Sequence, residues 1–314
     1  MPLVKPAEVR EHAAVLGAST PMQAPARTDR ALVQLALPKG RMQTGVFQLL
    51  ADAGLPVRVS ERGYRPAFPL AGVETKILKP QDIVGMLHRG SRDVGFAGHD
   101  WVVEKEAELV EVLDTGLDPV RIVAAAPREG VRDGRVTKSP FVVASEYERM
   151  TRAWLAREGY DATFVRCYGA TEVFPPEDAD CIVDNTATGS TLRANGLEIV
   201  GTLLTSSTRL FASQAAWADP ARRERIEVLA MLVRSVLEAR QRVMVEVNCG
   251  PTDLEAVIGV LPCMREPTVA RLHHDAGYAI KAAVPRGQLP ELIPVLKARG
   301  ATDIVVSALA QIVP

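Results

Sequence analysis

The stretch CIVDNTATGSTLRANG, residues 181–196, sets a short apolar run, Cys181-Ile182-Val183, ahead of an acid, three threonines, a glycine and a serine. The helix-forming residues Leu192-Arg193-Ala194 follow at once. Strand, hydroxyl- and glycine-rich turn, helix is the layout of a phosphate cradle. The start of a helix offers several unpaired backbone N–H groups and about half a positive charge. Gly189 lets the backbone approach an anion closely, while Thr188, Ser190 and Thr191 add hydroxyl donors. Asp184 does not suit a bare phosphate, because an acid beside an anion is unfavourable. It suits a sugar phosphate whose ribose hydroxyls need an acceptor, or a bound Mg2+. The same residues also read as an ordinary strand–turn–helix in which serine and threonine serve as caps.

Upstream and downstream the chain repeats this grammar. LVQLALP (32–38) reads as a buried strand and RMQTGVFQLLADAG (41–54) as a helix ended by Gly54. ETKILK (74–79) is a strand, and PQDIVGMLHRG (80–90) a helix opened by Pro80 and closed by Gly90. DVGFAG (93–98), VRIVAAAP (120–127), FVVAS (141–145) and ATFVRCYG (162–169) read as strands, with a helix over EYERMTRAWLAREG (146–159). GLEIVGTLLTSSTRLFAS (196–213) reads as two returning strands. Strands alternating with short helices argue for an α/β protein. The segment count favours two lobes with a cleft between them over one continuous sheet. The expected division is a first lobe over about 31–126 plus 200–218, a second over about 127–199, and a catalytic region that totals 31–238.

After the long helix DPARRERIEVLAMLVRSVLEARQ (219–241) the texture changes. Strand, helix, two strands, helix and strand follow between Arg242 and Leu309, a βαββαβ order that predicts a ferredoxin-like, ACT-like regulatory domain over 239–314. Residues 1–30 are rich in Ala, Pro and charge without apolar period. They read as a mobile extension with at most a short helix around Pro6–Leu16.

Bulk properties narrow the function classes. In 314 residues, 47% hydrophobic content suffices for packed cores, and a net charge of −1 creates no field that draws the chain to nucleic acid or a membrane. Polyanionic ligands must then meet locally placed Lys and Arg. Cys167, Cys181, Cys249 and Cys263 lack CxxC spacing and read as reduced thiols rather than a zinc site. No apolar run approaches the roughly 20 residues of a membrane span, and no signal-peptide core is evident, so a cytoplasmic protein is expected.

Five segments in order resemble the long-form ATP phosphoribosyltransferase family, which opens histidine biosynthesis. They are LALPKGRM (35–42), LKPQDIVGMLHRGSRDVGFAGHDWV (78–102), CYGATEV (167–173), ADCIVDNTATGSTLRANGLEIV (179–200), and LPCMREPTVARL (261–272) with AAVPR (282–286). The resemblance covers about residues 31–314. It implies a two-lobed, periplasmic-binding-protein-like α/β catalytic region with substrates ATP and phosphoribosyl pyrophosphate, and Mg2+ as cofactor. Thr186, Ala187, Thr188, Gly189, Ser190 and Thr191 would bind the 5-phosphate, and Asp184 the ribose hydroxyls or the metal. Glu172 would be a second acid at the ribose or metal. Lys39 and Arg41 would supply positive charge, Lys39 with a catalytic part. Arg62, Lys79, Asp82 and Gly98 are candidate contacts to ATP, although Asp82 also suits a helix cap. His99 is not required as a base.

By the same resemblance the C-terminal domain binds L-histidine as feedback inhibitor, with AMP a further candidate, and the homo-oligomer moves between dimer and hexamer. The implied effector pocket is Asn248, Met264, Glu266 and Thr268. Glu266 stands where some relatives carry serine, and Asn248 where some carry an acid. Two alternatives keep the same fold without catalysis: a regulatory paralogue and a small-molecule binding protein. The intact loop and the missing signal peptide weigh against them.

Overall fold

A computed structural model describes residues 32–59 and 63–313. The extension over 1–30, its suggested helix and Arg62 lie outside the described residues. In chain order the first elements are β1 (Val33–Pro38), α1 (Arg41–Asp52), β2 (Val73–Leu78), α2 (Pro80–His88), β3 (Val94–Gly98) and α3 (His99–Glu104). There follow β4 (Leu109–Pro127), a small hairpin of β5 (Val131–Arg132) and β6 (Arg135–Val136), then β7 (Phe141–Ser145), α4 (Glu148–Glu158) and β8 (Ala162–Arg166). Next come β9 (Cys181–Thr186), α5 (Ser190–Ala194), β10 (Leu197–Ser213), α6 (Gln214–Ala218) and α7 (Pro220–Gln241). The C-terminal elements are β11 (Arg242–Cys249), α8 (Leu254–Ile258), β12 (Thr268–Arg271), β13 (Tyr278–Pro285), α9 (Leu289–Ala298) and β14 (Ala301–Ala308).

Local signals behave as their chemistry requires. Pro80 opens α2 at its first turn, and Pro220 opens α7 behind Asp219, whose carboxylate accepts from the Ala221 and Arg222 N–H groups. Gly159 ends α4 in the left-handed conformation, φ 70°.

The two lobes are halves of one hydrogen-bonded sheet, in the order β2-β1-β3-β10-β4-β9-β7-β8. This corrects the expectation of separate sheets. The reason lies in two long strands. GLEIVGTLLTSSTRLFAS is not two strands but the single β10, and VRIVAAAP is only the end of β4. They pair antiparallel from Leu197↔Pro127 to Ser213↔Leu109, with register shifts between Ile199 and Gly201 and again around Ser206–Arg209. Bulges bend and twist a ladder without ending it. One end of this ribbon therefore serves the first lobe and the other end the second. Around it the strands β1, β2 and β3 run parallel, as do β7, β8 and β9.

Each half of the sheet is covered on both faces, which explains the continuous apolar runs of its strands. In the first lobe Leu35, Leu37, Phe96 and Leu210 pack with Leu49 and Leu50 of α1 and Ile226, Leu229 and Val233 of α7. The opposite face packs Ala36, Ala97 and Phe211 against Ile83, Val84 and Leu87 of α2. In the second lobe Phe141, Val143, Cys181 and Val183 meet Tyr147 and Trp154 on one face, while Ala144, Ile182 and Leu192 pack on the other. β9 alternates strictly between these clusters, and that alternation aims its last residues into the cleft.

The C-terminal sheet has the order β12-β13-β11-β14 and is antiparallel throughout, the ferredoxin-like arrangement expected from βαββαβ. Val243, Val245 and Val247 face the core with Leu292 and Leu296 of α9. Residues between them, among them Glu246 and Asn248, face the open side. No helix among the described residues is long and apolar enough to cross a membrane.

Candidate functional site

The cleft is lined where the two lobes approach beside the β4–β10 ribbon. Lys39 and Arg41 flank Gly40, whose φ of 79° turns the chain from β1 into α1 and is open to glycine at little cost. Both cations line a cavity of about 220 Å³ together with Gly98, Asp100, Trp101 and Asn185. Ser206, Ser207 and Thr208 from the bulged part of β10 complete its wall.

Hydrogen bonds join the lobes across this cavity. Tyr147, 2% exposed, donates its hydroxyl to Asp100 Oδ2 at 2.9 Å. Ser206 Oγ donates to Asp100 Oδ1 at 2.7 Å and accepts the Asp100 N–H at 3.0 Å. Asn185 Nδ2 reaches the Tyr147 hydroxyl at 3.4 Å, and Arg41 Nη1 donates to Asn185 Oδ1 at 3.4 Å. Burial, then the Asp100 charge, pushes the Tyr147 phenol far above its ordinary range. It therefore stays a donor at any working pH. Trp101 stacks on the Tyr147 ring with centroids 4.9 Å apart.

Asp184 ends the buried part of β9. It accepts from the Thr171 hydroxyl, from Asn185 N–H at 2.6 Å and from Asn185 Nδ2 at 3.1 Å. Burial raises its carboxyl above the usual range; these donors pull the other way, while the nearby Glu172 and Glu146 charges raise it further. Glu172 is half-buried in the short turn Thr171–Val173 next to it. The Glu172 and Glu146 charges are felt at Asp184, and a cation or a row of ribose hydroxyls would relieve that repulsion. Among the described residues no group of three or more His, Cys, Asp or Glu side chains is arranged to hold a metal ion. Asp184 and Glu172 fit instead a magnesium ion carried largely by substrate phosphates, which commonly needs only one or two protein carboxylates.

The loop itself differs in detail from the sequence expectation. Thr186 is buried, and its hydroxyl oxygen accepts the Gly189 N–H at 2.9 Å, so it shapes the turn and uses up one backbone donor. Ala187, Thr188, Ser190 and Thr191 are exposed on the turn. Gly189 adopts φ 74°. Helix α5 spans five residues, too short for much of a macrodipole, so the cradle rests on N–H and hydroxyl donors. Thr188 Oγ1 and Ser190 Oγ lie 3.0 Å apart.

Of the other expected site residues, Lys79 and Asp82 are exposed at the start of α2; their neighbours Pro80 and Gln81 line the cavity. Asp82 gives α2 no side-chain cap; it is an acid in the first turn, favoured there by the helix field. His99 Nδ1 is buried without a hydrogen-bond partner, and burial followed by Arg209 lowers its pKa. Asp100 and Asn185 lie within the family-like segments 78–102 and 179–200, whereas Tyr147, Glu146 and Ser206–Thr208 carry no sequence motif of their own. The hydroxyl run TSST (205–208) inside an apolar strand was the one available signal. All four cysteines are free; burial pushes the Cys167 thiol up to about 11 and Cys181 to about 12.

In the C-terminal sheet, Asn248 and Thr268 border a hollow of about 350 Å³, whereas Met264 and Glu266 border a neighbouring one of about 380 Å³. Thr268 and Lys281 belong to both. Asn248 Nδ2 donates to Asp303 Oδ2 at 3.0 Å, so Asp303 brings the acid that position 248 lacks.

Two α/β lobes built on one sheet, a hydroxyl-and-glycine loop headed by a half-buried acid, and an appended ferredoxin-like domain define a two-lobed α/β protein with a cleft beside its central ribbon. Comparison with known proteins sharpens this class. The family described as ATP phosphoribosyltransferase matches residues 79–235, and the one described as HisG, C-terminal domain, matches 239–311. An ATP phosphoribosyltransferase from Desulforudis audaxviator is 39% identical over 90% of this chain and 99% of its own. One from Chlorobaculum parvum is 38% identical over 87% of this chain and 95% of its own. A solved ATP phosphoribosyl transferase (HisG:HisZ) complex from Thermotoga maritima contains a similar chain, at TM-score 0.58 and 25% identity, over 66% of this chain and 99% of that one. The chain belongs to the ATP phosphoribosyltransferase family.

Proposed function

We propose that the protein transfers the phosphoribosyl group of phosphoribosyl pyrophosphate to N1 of ATP, giving phosphoribosyl-ATP and pyrophosphate, the first step of histidine biosynthesis. The observation that carries this reading is the half-buried Asp184 set directly ahead of the Gly189 turn. An acid for ribose hydroxyls and a donor-rich turn for a phosphate stand at the spacing one sugar phosphate needs. Thr188, Gly189, Ser190 and Thr191, with the backbone of Ala187, hold the 5-phosphate; Thr186 acts indirectly by fixing the turn.

The adenine N1 lone pair forms the new bond to C1′ as the C1′–O bond breaks, and that electron pair leaves with pyrophosphate. N1 is already nucleophilic, so no side chain has to be activated. The transition state carries positive charge on the ribose and negative charge on the leaving group. Asp184 and Glu172 stand by the first, Lys39 and Arg41 by the second, and positioning plus electrostatics supplies the catalysis. Asp184 and Glu172 would help hold a magnesium ion, which would supply positive charge to offset the charge of the leaving group. ATP would lie along Lys39, Arg41 and Gly98, with Lys79, Asp82 and Arg62 as outer contacts.

The division into a catalytic region over 31–238 and a regulatory domain over 239–314 belongs to the same reading, supported by separate hydrophobic clusters. L-histidine, with AMP as a further inhibitor, is the proposed effector chemistry, and Asn248, Met264, Glu266 and Thr268 the proposed pocket, with Asp303 added. A cytoplasmic homo-oligomer, dimeric or hexameric, is the working form.

The test is pyrophosphate release with ATP, phosphoribosyl pyrophosphate and Mg2+, each omitted in turn, for the native chain and Thr188→Ala. Release that needs all three and falls in the variant supports the reading. A folded protein that binds ATP yet releases nothing would move the assignment to a regulatory paralogue.

A further inference from the structure

We infer that Arg193 is a positioning residue of the phosphate loop: its guanidinium occupies the Thr188 carbonyl and so removes one acceptor from the turn that meets the 5-phosphate. The inference rests on reading residues 186–191 as the phosphate cradle.

A tight turn that offers N–H groups to an anion also carries carbonyl oxygens, and an acceptor facing a phosphate is repulsive. Here the two carbonyls that precede α5 are held by one residue. Arg193 Nη1 donates to Thr188 O at 3.1 Å, and the Arg193 backbone N–H donates to Gly189 O at 3.1 Å. The bond from a cation is the stronger kind and draws electron density from the Thr188 carbonyl. The guanidinium also packs on the turn itself. A Cβ added to Gly189 would lie 3.0 Å from Arg193 Nη1, so a side chain there would nudge the guanidinium, while the φ of 74° is what calls for glycine. Arg193 reaches this place along a hollow of about 460 Å³ floored by Leu192, Leu197 and Ile199. Nothing in the hydroxyl-and-glycine pattern of the loop signals this role, because the arginine sits on the helix after it and folds back.

The test compares Arg193→Ala, Arg193→Met and Arg193→Lys in steady-state kinetics with each substrate varied, alongside Asp184→Asn. Methionine keeps the apolar stem and removes the donor, so it carries the test where alanine fails to fold. Arg193→Met should raise KM for phosphoribosyl pyrophosphate about tenfold, as loss of a charged hydrogen bond implies. KM for ATP and kcat should stay within about twofold, a difference too small to represent a lost hydrogen bond. Lysine, a cation with a donor, should restore most of the loss. An unchanged KM for phosphoribosyl pyrophosphate overturns the inference. Equal losses for both substrates that lysine does not repair also overturn it, because they mark a merely structural arginine. If Asp184→Asn leaves both substrates unaffected, the cradle reading itself fails; if Asp184→Asn is impaired and the Arg193 variants are not, only this inference falls.

Discussion

Replacing Tyr147 by phenylalanine removes one oxygen atom that joins the lobes. The hydroxyl donates to Asp100 Oδ2 at 2.9 Å and accepts from Asn185 Nδ2 at 3.4 Å. Asp100 is 6% exposed and keeps one side-chain donor, Ser206 Oγ. Phenylalanine retains the ring that stacks on Trp101, so the change isolates the hydrogen bond. A bond to a buried carboxylate contributes about 1.5–3 kcal/mol. Taking about 2 kcal/mol, the melting temperature should fall by roughly 4–8 °C, at about 2–4 °C per kcal/mol for a domain of 150–250 residues. The assay is urea denaturation and thermal melting of four proteins: native, Tyr147→Phe, Asp100→Ala and the double variant. With Asp100 gone, losing the hydroxyl should matter little, so the cycle should return a coupling of about 1.5 kcal/mol or more. A coupling under about 0.5 kcal/mol, the level expected of residues that do not interact, would refute the claim that this bond ties the lobes.

Asp184→Asn should abolish phosphoribosyl transfer yet stabilise the unliganded protein at neutral pH. Burial raises the native carboxyl above the ordinary aspartate value, so the native state binds more protons than the unfolded chain between those two pKa values, and stability falls as pH rises through that window. Melts of both proteins from about pH 3 to 8 should show the gain in the variant at neutral pH and its disappearance below the unfolded pKa near 3.9. Phe96→Ala, at a residue with no exposed surface between β1 and β10, should cost about 3–5 kcal/mol in urea denaturation while the secondary structure that survives stays α/β.

Much of the architecture was legible in the chain because its signals are local. Pro80, Gly159 and Asp219–Pro220 act through their own backbone, and each marks a helix end where it was expected. The βαββαβ order of residues 242–308 follows from periodicity alone. The error lay in β10. Its mixture of glycine, threonine and serine looks like a break, but the residues from Gly201 to Thr208 sit at or beside bulges where β4 still supplies hydrogen bonds. A pairing partner some 90 residues away is invisible to a sequence window.

The site divides along the same line. The loop from Asp184 to Thr191 and the pair Lys39 and Arg41 stand out as candidates in the sequence, through contiguous donors and charges near a glycine and through the family resemblance. Asp100, Tyr147, Asn185, Ser206 and Arg41 come from five separate stretches of the chain, and only folding sets them within hydrogen-bond reach. Arg193 belongs with them, since its function depends on which way a side chain folds back. What the sequence by itself determined was most of the helices and strands and the strand–turn–helix of residues 181–194, because these depend on neighbours along the chain. The joining of two lobes into one sheet, the network across the cleft and the inward turn of Thr186 were decided by tertiary structure, because burial and hydrogen-bond partners exist only once distant strands meet.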